Sequence, residues 1–363
     1  MNIRSSIALL LLAAPCLSIE ARDFNPGRVG DYGFETILTN PVTSIKDQHN
    51  SGTCWCFATT SFLESEAIRL GKADTTADFS EMYSIFKGYQ LRAVKYLRMN
   101  GHLSSGPGSI APDLLHIVDE FGIVPQTAMP GKTELPELFD MDKEIKAYLR
   151  DILEDKSKLK KDWSKGLDKI LTRWIGREPS RFTIDGREFT PASYRDAMGI
   201  SAGDYVTLSS FTHHPFYQSF VLEVPDNWRW DSVLNVTLDE LEEAVSSAVR
   251  NGYTVCWGAD ISEPGYTWDG LMVLPYKEVS QKQRQDMFDS QETTDDHLMH
   301  IFGLAKDSAG EIYYMVKNSS GPNWGDPNHI WYASIPYLRA KTIAVTLHKD
   351  ALSPALREKL GID

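Results

Sequence analysis

The sequence is poor in cysteine, in positive charge and in long apolar segments. Its 363 residues include only four cysteines, too few for a disulfide framework to hold a chain of this length. Acidic residues outnumber basic ones by 50 to 37, and the formal net charge of −13 disfavours non-specific binding to nucleic acid or to an anionic membrane surface. We find no internal repeat and no low-complexity segment. Repeat arrays, small disulfide-bonded modules and basic nucleic-acid-binding proteins are therefore excluded.

The composition is that of a folded protein with a substantial core. Hydrophobic residues make up 42% of the chain and charged residues 24%, both near the globular norm, which excludes a disordered protein or a coiled coil. At roughly 150 residues per domain, the length predicts about two domains or one large two-lobed enzyme.

Residues 1–21 have the pattern of a secretory signal peptide. A basic start is followed by an apolar run over 7–14, then by Pro15 and small residues. The run is too short to span a bilayer, which needs about 20 apolar residues, and no later window is long enough, so we expect no membrane insertion. Pro15 is a poor residue before a lipoprotein-type Cys16. We therefore expect a freely exported protein, periplasmic or extracellular, with a buried N-terminal helix as the alternative.

Removing the signal peptide leaves Cys54, Cys56 and Cys256. An odd number of cysteines in an exported protein indicates a free thiol. A disulfide between Cys54 and Cys56 is not expected, because residues i and i+2 of a helix point to different sides. We expect Cys56 and Cys256 to be small core residues, which leaves Cys54 as the thiol of interest.

The order of predicted elements indicates an α+β fold with two lobes and a cleft between them. Apolar spacing and end signals predict helices over about 52–70, 80–99, 111–121, 143–171 and 238–250. β-branched and aromatic runs predict strands at 204–209, 217–224, 253–257, 300–305 and 312–317. The predicted organisation is a helical lobe (22–130), a charged helical insertion packed on the outside (131–200), a β-rich lobe (201–347) and a C-terminal tail (348–363).

The residues from Gln48 to Ala58 combine the parts of a thiol nucleophile site. We expect Thr53 to cap a helix that begins at Cys54, whose thiolate would be favoured by the positive helix end. Gln48 lies six residues earlier on a glycine-containing loop. Its amide N–H and the backbone N–H of Cys54 could together form an oxyanion hole.

This segment resembles the active-site loop of papain-like cysteine peptidases at Gln48, Gly52, Cys54, Trp55 and Phe57. The wider similarity is to the branch that contains bleomycin hydrolase and aminopeptidase C, since Ser51 stands where papain has a disulfide-forming cysteine. The resemblance implies the two-lobed papain-like cysteine proteinase fold, peptide substrates and a Cys–His–Asn triad. We expect no cofactor.

Two downstream segments resemble the regions that carry the histidine and asparagine of that family. His297 matches the histidine because Gly303 follows at the expected sixth position, whereas His300 would face the other way on a strand. The resemblance gives Asn318 the orienting role, 318 − 297 = 21 residues after His297. Asp295 and Asp296, beside His297, are either solvated carboxylates or groups that raise its pKa. His300 remains the competing catalytic histidine.

The sequence departs from the family pattern at two points. Ser320 replaces a tryptophan that shields the Asn–His hydrogen bond in the family, and Trp324 is the candidate substitute. The separation from Cys54 to His297 is 297 − 54 = 243 residues, against about 130–150 for the papain type. The insertion at 131–200 accounts for most of the excess.

The resemblance favours an aminopeptidase over an endopeptidase. Only residues 22–40 separate the signal peptide from the family-like segment that starts at Pro41, so no long inhibitory pro-segment is expected. In bleomycin hydrolase relatives a C-terminal arm enters the cleft, and residues 348–363 could do the same. A homo-oligomer is left open. The alternatives are a cysteine endopeptidase and a catalytically impaired peptide-binding homologue, which Ser320 favours.

A metal site at His213 and His214 is not expected. Adjacent imidazole rings seldom converge on one ion, and no spaced Cys or His partners accompany them.

Overall fold

The computed structural model describes residues 24–104, 106–132 and 138–362, so the predicted signal peptide (1–21) lies outside it. The helices are α1 (Val29–Tyr32), α2 (Cys54–Arg69), α3 (Glu81–Arg98), α4 (Ala111–Phe121), α5 (Leu138–Glu154), α6 (Ser164–Ile175), α7 (Pro191–Ala197), α8 (Leu238–Arg250), α9 (Gln281–Asp289), α10 (Ile335–Lys341) and α11 (Pro354–Leu360). Across these described residues, no helix is both long enough and apolar enough to cross a membrane.

The strands are β1 (Glu35–Thr39), β2 (Phe182–Ile184), β3 (Arg187–Phe189), β4 (Tyr205–Ser209), β5 (Ser219–Val221), β6 (Ser232–Asn235), β7 (Val255–Ala259), β8 (Leu271–Met272), β9 (His297–Lys306), β10 (Ile312–Lys317), β11 (Ile330–Ser334) and β12 (Thr342–His348). Apart from the β2–β3 hairpin, they form one sheet in the order β5-β6-β4-β12-β7-β9-β10-β11-β8. Strand β1 pairs with β9 as well, so the N-terminal region contributes an edge to the β-rich lobe.

The long strand β9 separates two cores. Leu298 and His300 face α2, where Leu298 joins the core of the helical lobe and His300 bonds to Ser61. Met299 and Ile301 belong to the core on the opposite face, which is covered by α8 and α10. This alternation follows from the two-residue period of a strand, and it brings the start of β9 to the start of α2.

The insertion is more deeply integrated than the sequence analysis expected. The single helix expected over 143–171 is two helices, α5 and α6, and their apolar stripes lie in the same core as α2, α3 and α4. Leu149 of α5 and Leu171 of α6 are buried there. Regular apolar spacing along both helices explains the burial, because each presents one continuous apolar face.

The C-terminal tail packs away from α2. Leu356 of α11 is buried in the core on the α8 side of the sheet, and Lys359 Nζ lies 2.6 Å from Glu240 Oε1 of α8. The described part of the tail ends at Ile362, which contacts the same core. The described tail residues therefore pack on the α8 side of the sheet and not in the cleft, the position that the sequence had left possible.

Candidate active site

The nucleophile candidate is the first residue of α2, as the sequence predicts. Gly52 precedes it with φ +62°, and a Cβ there would lie 2.5 Å from Pro107 Cγ, so only glycine lets the loop approach this closely. The Trp55 indole donates to the Pro107 carbonyl at 3.0 Å and fixes the first turn. Thr53 occupies the N-cap position but does not cap the helix; its hydroxyl pairs with Ser51 Oγ at 2.6 Å instead.

The thiol of Cys54 meets the start of β9. Its side chain is buried, and the backbone N–H of Leu298 points at Sγ. Leu298 directly follows His297, so packing of α2 on β9 brings together two segments that lie 243 residues apart in the sequence. The structure therefore places Cys54 next to the segment that carries the predicted histidine.

His297 and Asn318 are hydrogen-bonded across the β9–β10 pair. His297 Nε2 lies 2.8 Å from Asn318 Oδ1, and Asn318 is almost fully buried. The Asn318 amide is oriented by two further bonds, because Oδ1 accepts from the Ser319 N–H at 2.8 Å and Nδ2 donates to the Tyr266 hydroxyl at 3.0 Å. Since Oδ1 can only accept, Nε2 of His297 carries the proton. Nδ1 is then the ring nitrogen with a free lone pair.

Gln48 is held against the residue that follows Asn318. Its Oε1 accepts from Ser319 Oγ at 2.6 Å, and its backbone N–H donates to the Ser319 carbonyl at 2.8 Å. With Oε1 engaged, the Nε2 group is the end of the amide left to donate toward the cleft that Gln48 lines. The N–H of Cys54 is the second candidate donor, since the first N–H groups of a helix have no intrahelical acceptor.

Burial shifts the pKa of the Cys54 thiol in the direction opposite to the effect of the helix end considered in the sequence analysis. Burial raises the pKa of the Cys54 thiol to about 12, and the charges of Asp295 and Asp226 add to the rise, although the Leu298 N–H opposes it. Burial also lowers the pKa of His297, while the Asn318 bond and the Asp296 charge oppose that shift. Both shifts favour the neutral forms, a thiol and an imidazole, because burial disfavours the charged form of each group.

This protonation state predicts how Cys54 should react with iodoacetamide, which alkylates thiolates. The alkylation rate should rise continuously between pH 5 and pH 9, by up to about tenfold per pH unit, because the thiolate fraction grows with pH below the thiol pKa. Mass spectrometry of the labelled Cys54 peptide gives the rate. A plateau between pH 5 and pH 7 would instead indicate a preformed thiolate–imidazolium pair.

His300 belongs to a buried polar network beneath the site. Ser61 Oγ lies 2.9 Å from His300 Nδ1, and Lys317 Nζ donates to the same hydroxyl at 2.8 Å and to Thr43 Oγ1 at 3.0 Å. Burial lowers the pKa of Lys317 to about 8 and that of His300 well below its usual range. His300 faces α2 below the thiol, so its contacts are those of a structural residue.

The family tryptophan replaced by Ser320 has a different substitute from the one expected. Tyr266, on the loop between β7 and β8, bonds to the Asn318 amide, and Trp268 packs edge-on against it with ring centroids 5.7 Å apart. Trp324 packs against Trp268 with the two rings tilted by 53° and their centroids 4.9 Å apart, and it remains exposed. Tyr266 therefore shields Asn318, and Trp324 forms the outer part of the same wall. The sequence offered no signal for Tyr266, because it lies 52 residues before Asn318.

An open cleft of about 560 Å³ lies beside these residues. The residues around it come from the Gln48 loop, the start of β9 and the aromatic wall, and they include Gln48, His297, Ser319, Tyr266, Trp268 and Trp324. The cleft is large enough for several peptide residues, and its mixed polar and aromatic lining suits an extended chain.

His213 and His214 do have a third neighbour, which the sequence analysis missed. Glu223 Oε2 lies 3.3 Å from His213 Nε2 and 3.5 Å from His214 Nε2, and one ligand atom from each residue falls within 4.8 Å of the others. However, Gln285 donates from Nε2 to His213 Nδ1 at 2.9 Å, since its Oε1 accepts from the Thr212 N–H. His213 Nε2 then carries a proton and donates to Glu223, which leaves no lone pair for a metal.

Comparisons with known proteins agree with this geometry. Aminopeptidase C of Listeria monocytogenes is 23% identical over 392 residues, covering 94% of this chain and 88% of the relative. Aminopeptidase G of Lactobacillus delbrueckii is 22% identical, with 90% and 85% covered. The crystal structure of PepW from Lactobacillus rhamnosis superposes with a TM-score of 0.73 at 18% identity over 90% of this chain and 84% of that one, which shows the papain-like fold. The peptidase C1-like family matches residues 179–362, just over half of the chain, and the protein therefore belongs to that family of papain-like cysteine peptidases.

Proposed function

We propose that the protein is a thiol-dependent aminopeptidase that uses Cys54, His297, Asn318 and Gln48. The observation that carries the proposal is the 2.8 Å bond from His297 Nε2 to Asn318 Oδ1, with the Cys54 thiol held at the adjoining Leu298 N–H. These contacts support the proposal, because nucleophilic acyl transfer needs a nucleophile, a base and a group that orients the base close together.

In the proposed mechanism, His297 Nδ1 accepts the Cys54 proton as Sγ attacks the peptide carbonyl. Gln48 Nε2 and the Cys54 N–H stabilise the resulting oxyanion. The imidazolium then gives its proton to the leaving amine. The neutral imidazole that remains later removes a proton from the water that hydrolyses the thioester. Asn318 keeps the imidazole in the Nε2–H tautomer throughout, so that Nδ1 stays available to the sulfur.

Aminopeptidase rather than endopeptidase action is supported by the relatives. Two relatives, named aminopeptidase C and aminopeptidase G, match this chain along more than four fifths of their own length. We also propose export from the cytoplasm, which rests on the basic and apolar pattern of residues 1–21. Cell fractionation of the full chain beside a variant lacking 1–21 tests the export proposal.

The function is tested by comparing a dipeptide amide that has a free amino group with its N-acetylated form. We expect kcat/KM to be about 10–100-fold higher for the free amine, because charge-assisted recognition contributes about 1.5–3 kcal/mol. Activity should disappear after alkylation of Cys54. Equal or faster cleavage of the acetylated substrate would contradict aminopeptidase action and favour the endopeptidase. Absence of cleavage of either substrate would favour the peptide-binding alternative.

A further inference from the structure

The loop that joins β5 to β6, residues 222–231, is here called the bridging loop and reaches the backbone beside the nucleophile loop. The loop starts and ends in the β-rich lobe but is attached to the helical lobe. The Trp228 indole donates to Ser109 Oγ at 2.7 Å, and Arg229 Nε lies 3.3 Å from Asp113 Oδ1 of α4. Lys95 of α3 donates to the Arg229 carbonyl at 2.6 Å. Several buried contacts across the lobes therefore hold the bridging loop in place.

The bridging loop brings the carboxylate of Asp226 into contact with the backbone of Gly108, near the thiol. Asp226 packs so closely on Gly108 that a Cβ at Gly108 would lie 1.9 Å from Asp226 Oδ2. Gly108 follows Pro107, which contacts both Gly52 and Trp55 in the nucleophile loop. The negative charge of Asp226 contributes to the raised pKa of the Cys54 thiol.

A second carboxylate, Asp295, faces the first. The backbone N–H of Asp226 points at the Asp295 carboxylate, yet Asp295 Oδ2 is enclosed and has no hydrogen-bond partner among the described residues. Asp295 also lines a small cavity of about 20 Å³ together with Leu298, Leu222 and Ile110. A volume of that size holds about one water molecule or one ammonium group.

The two carboxylates lack a counter-charge. Burial and the neighbouring Asp226 raise the pKa of Asp295 to about 8, and burial raises the pKa of Asp226 against the opposing charge of Arg92. The Arg92 guanidinium is engaged elsewhere, since it donates to the Gly108 carbonyl and lies 5.0 Å from the centre of the Trp228 ring. Asp296 is different, because its Oδ2 accepts from the backbone N–H groups of Ile261 and Ser262. A pair of enclosed carboxylates with an unused acceptor is a site for a cation.

We propose that Asp226 and Asp295 bind the free α-ammonium group of the peptide substrate, and that the bridging loop bars peptides that extend further in that direction. The inference rests on the proposed function and names the residues that would make it an aminopeptidase. The packed tail α11 can then lie on the far face of the sheet, since the negative charge comes from side chains whose charges act on Cys54. A bound ammonium would favour the ionised form of both carboxylates, because a nearby opposite charge lowers the pKa of a carboxyl group.

The test uses Asp226→Asn and Asp295→Asn in the full chain, which keep the side-chain shape and remove the charge. Each variant should lower kcat/KM for the free-amine dipeptide amide by about 10–100-fold, mostly through KM. Cleavage of the N-acetylated dipeptide amide reports any change in Cys54 reactivity, so the ratio of the two kcat/KM values, free amine over acetylated, should itself fall by about 10–100-fold, because the acetylated substrate brings no cation. The matched control is Asp231→Asn on the same loop, where the carboxylate pairs with Arg229 at 3.1 Å; it should keep the wild-type ratio.

Alkylation of Cys54 by iodoacetamide and the thermal unfolding midpoint show whether each variant is folded. Folded Asp226→Asn and Asp295→Asn proteins that keep the full preference for a free amine would overturn the inference while leaving the proposed function intact. A wild-type protein inactive toward both substrates would overturn the proposed function and the inference together. If only one of the two variants is folded, its ratio of the two kcat/KM values decides the outcome.

Discussion

Replacing Cys54 with alanine should lower kcat for hydrolysis of a free-amine dipeptide amide by about 10⁴-fold or more, down to the assay background. Cys54, the first residue of α2, is the proposed nucleophile, and removing a nucleophile from such a constellation leaves only binding and oxyanion stabilisation. The unfolding midpoint should change little, because alanine fits the same helical position. Progress curves at saturating substrate give kcat.

Two variants serve as controls for Cys54→Ala. Cys56→Ala should keep wild-type kcat and cost about 1 kcal/mol of stability, since Cys56 is fully buried with its thiol 3.5 Å from the Glu81 carbonyl. Gln48→Ala should lose about 10²–10³-fold in kcat, less than Cys54→Ala, because it removes one oxyanion donor. A Cys54→Ala protein that hydrolyses peptides at the wild-type rate would end the proposal.

Replacing His297 with alanine should lower kcat by about 10⁴-fold, because the thiol loses the base that takes its proton. The raised pKa of Cys54 makes this loss larger than in a site with a preformed thiolate, since almost no thiolate exists at pH 7 without a proton acceptor. Single-turnover kinetics separate the acylation step from product release. The pH dependence of the residual activity should then follow the thiol alone.

His300→Ala is the matched comparison for His297→Ala. It should change kcat by less than about tenfold but lower the free energy of unfolding by about 1–3 kcal/mol, because Ser61 and Lys317 lose a buried partner. Denaturant titration measures that stability. If His300→Ala abolishes turnover while His297→Ala retains it, the roles assigned to the two histidines are reversed.

Much of the local structure followed from short-range patterns. The helices over 111–121 and 238–250 and the strand over 312–317 occur with the predicted bounds, because apolar spacing and end signals act within a few residues. The start of α2 at Cys54 was predicted from the same kind of signal. Strands β11 and β12 were missed, although both are almost fully buried, since short apolar runs carry little period of their own.

The candidate site was only partly accessible from the sequence. Gln48, Cys54, His297 and Asn318 were recognised because each lies in a short segment similar to the family pattern. Tyr266 and the carboxylates of Asp226 and Asp295 gained their positions from loops whose course depends on packing between the lobes. The sequence shows the helix end that favours the thiolate but not the burial that raises the pKa of the thiol.

The amino-acid sequence by itself determined the α+β class, the cysteine at a helix start and the order of the catalytic segments. These features depend on residue type and spacing over a few residues. Only the tertiary structure decided that Leu298 meets the thiol, that Tyr266 supports Asn318 and that the charges of Asp226 and Asp295 act on Cys54. The physical reason is that the burial of a group and the charge around it depend on residues that lie far apart in the chain. No local sequence pattern contains that information.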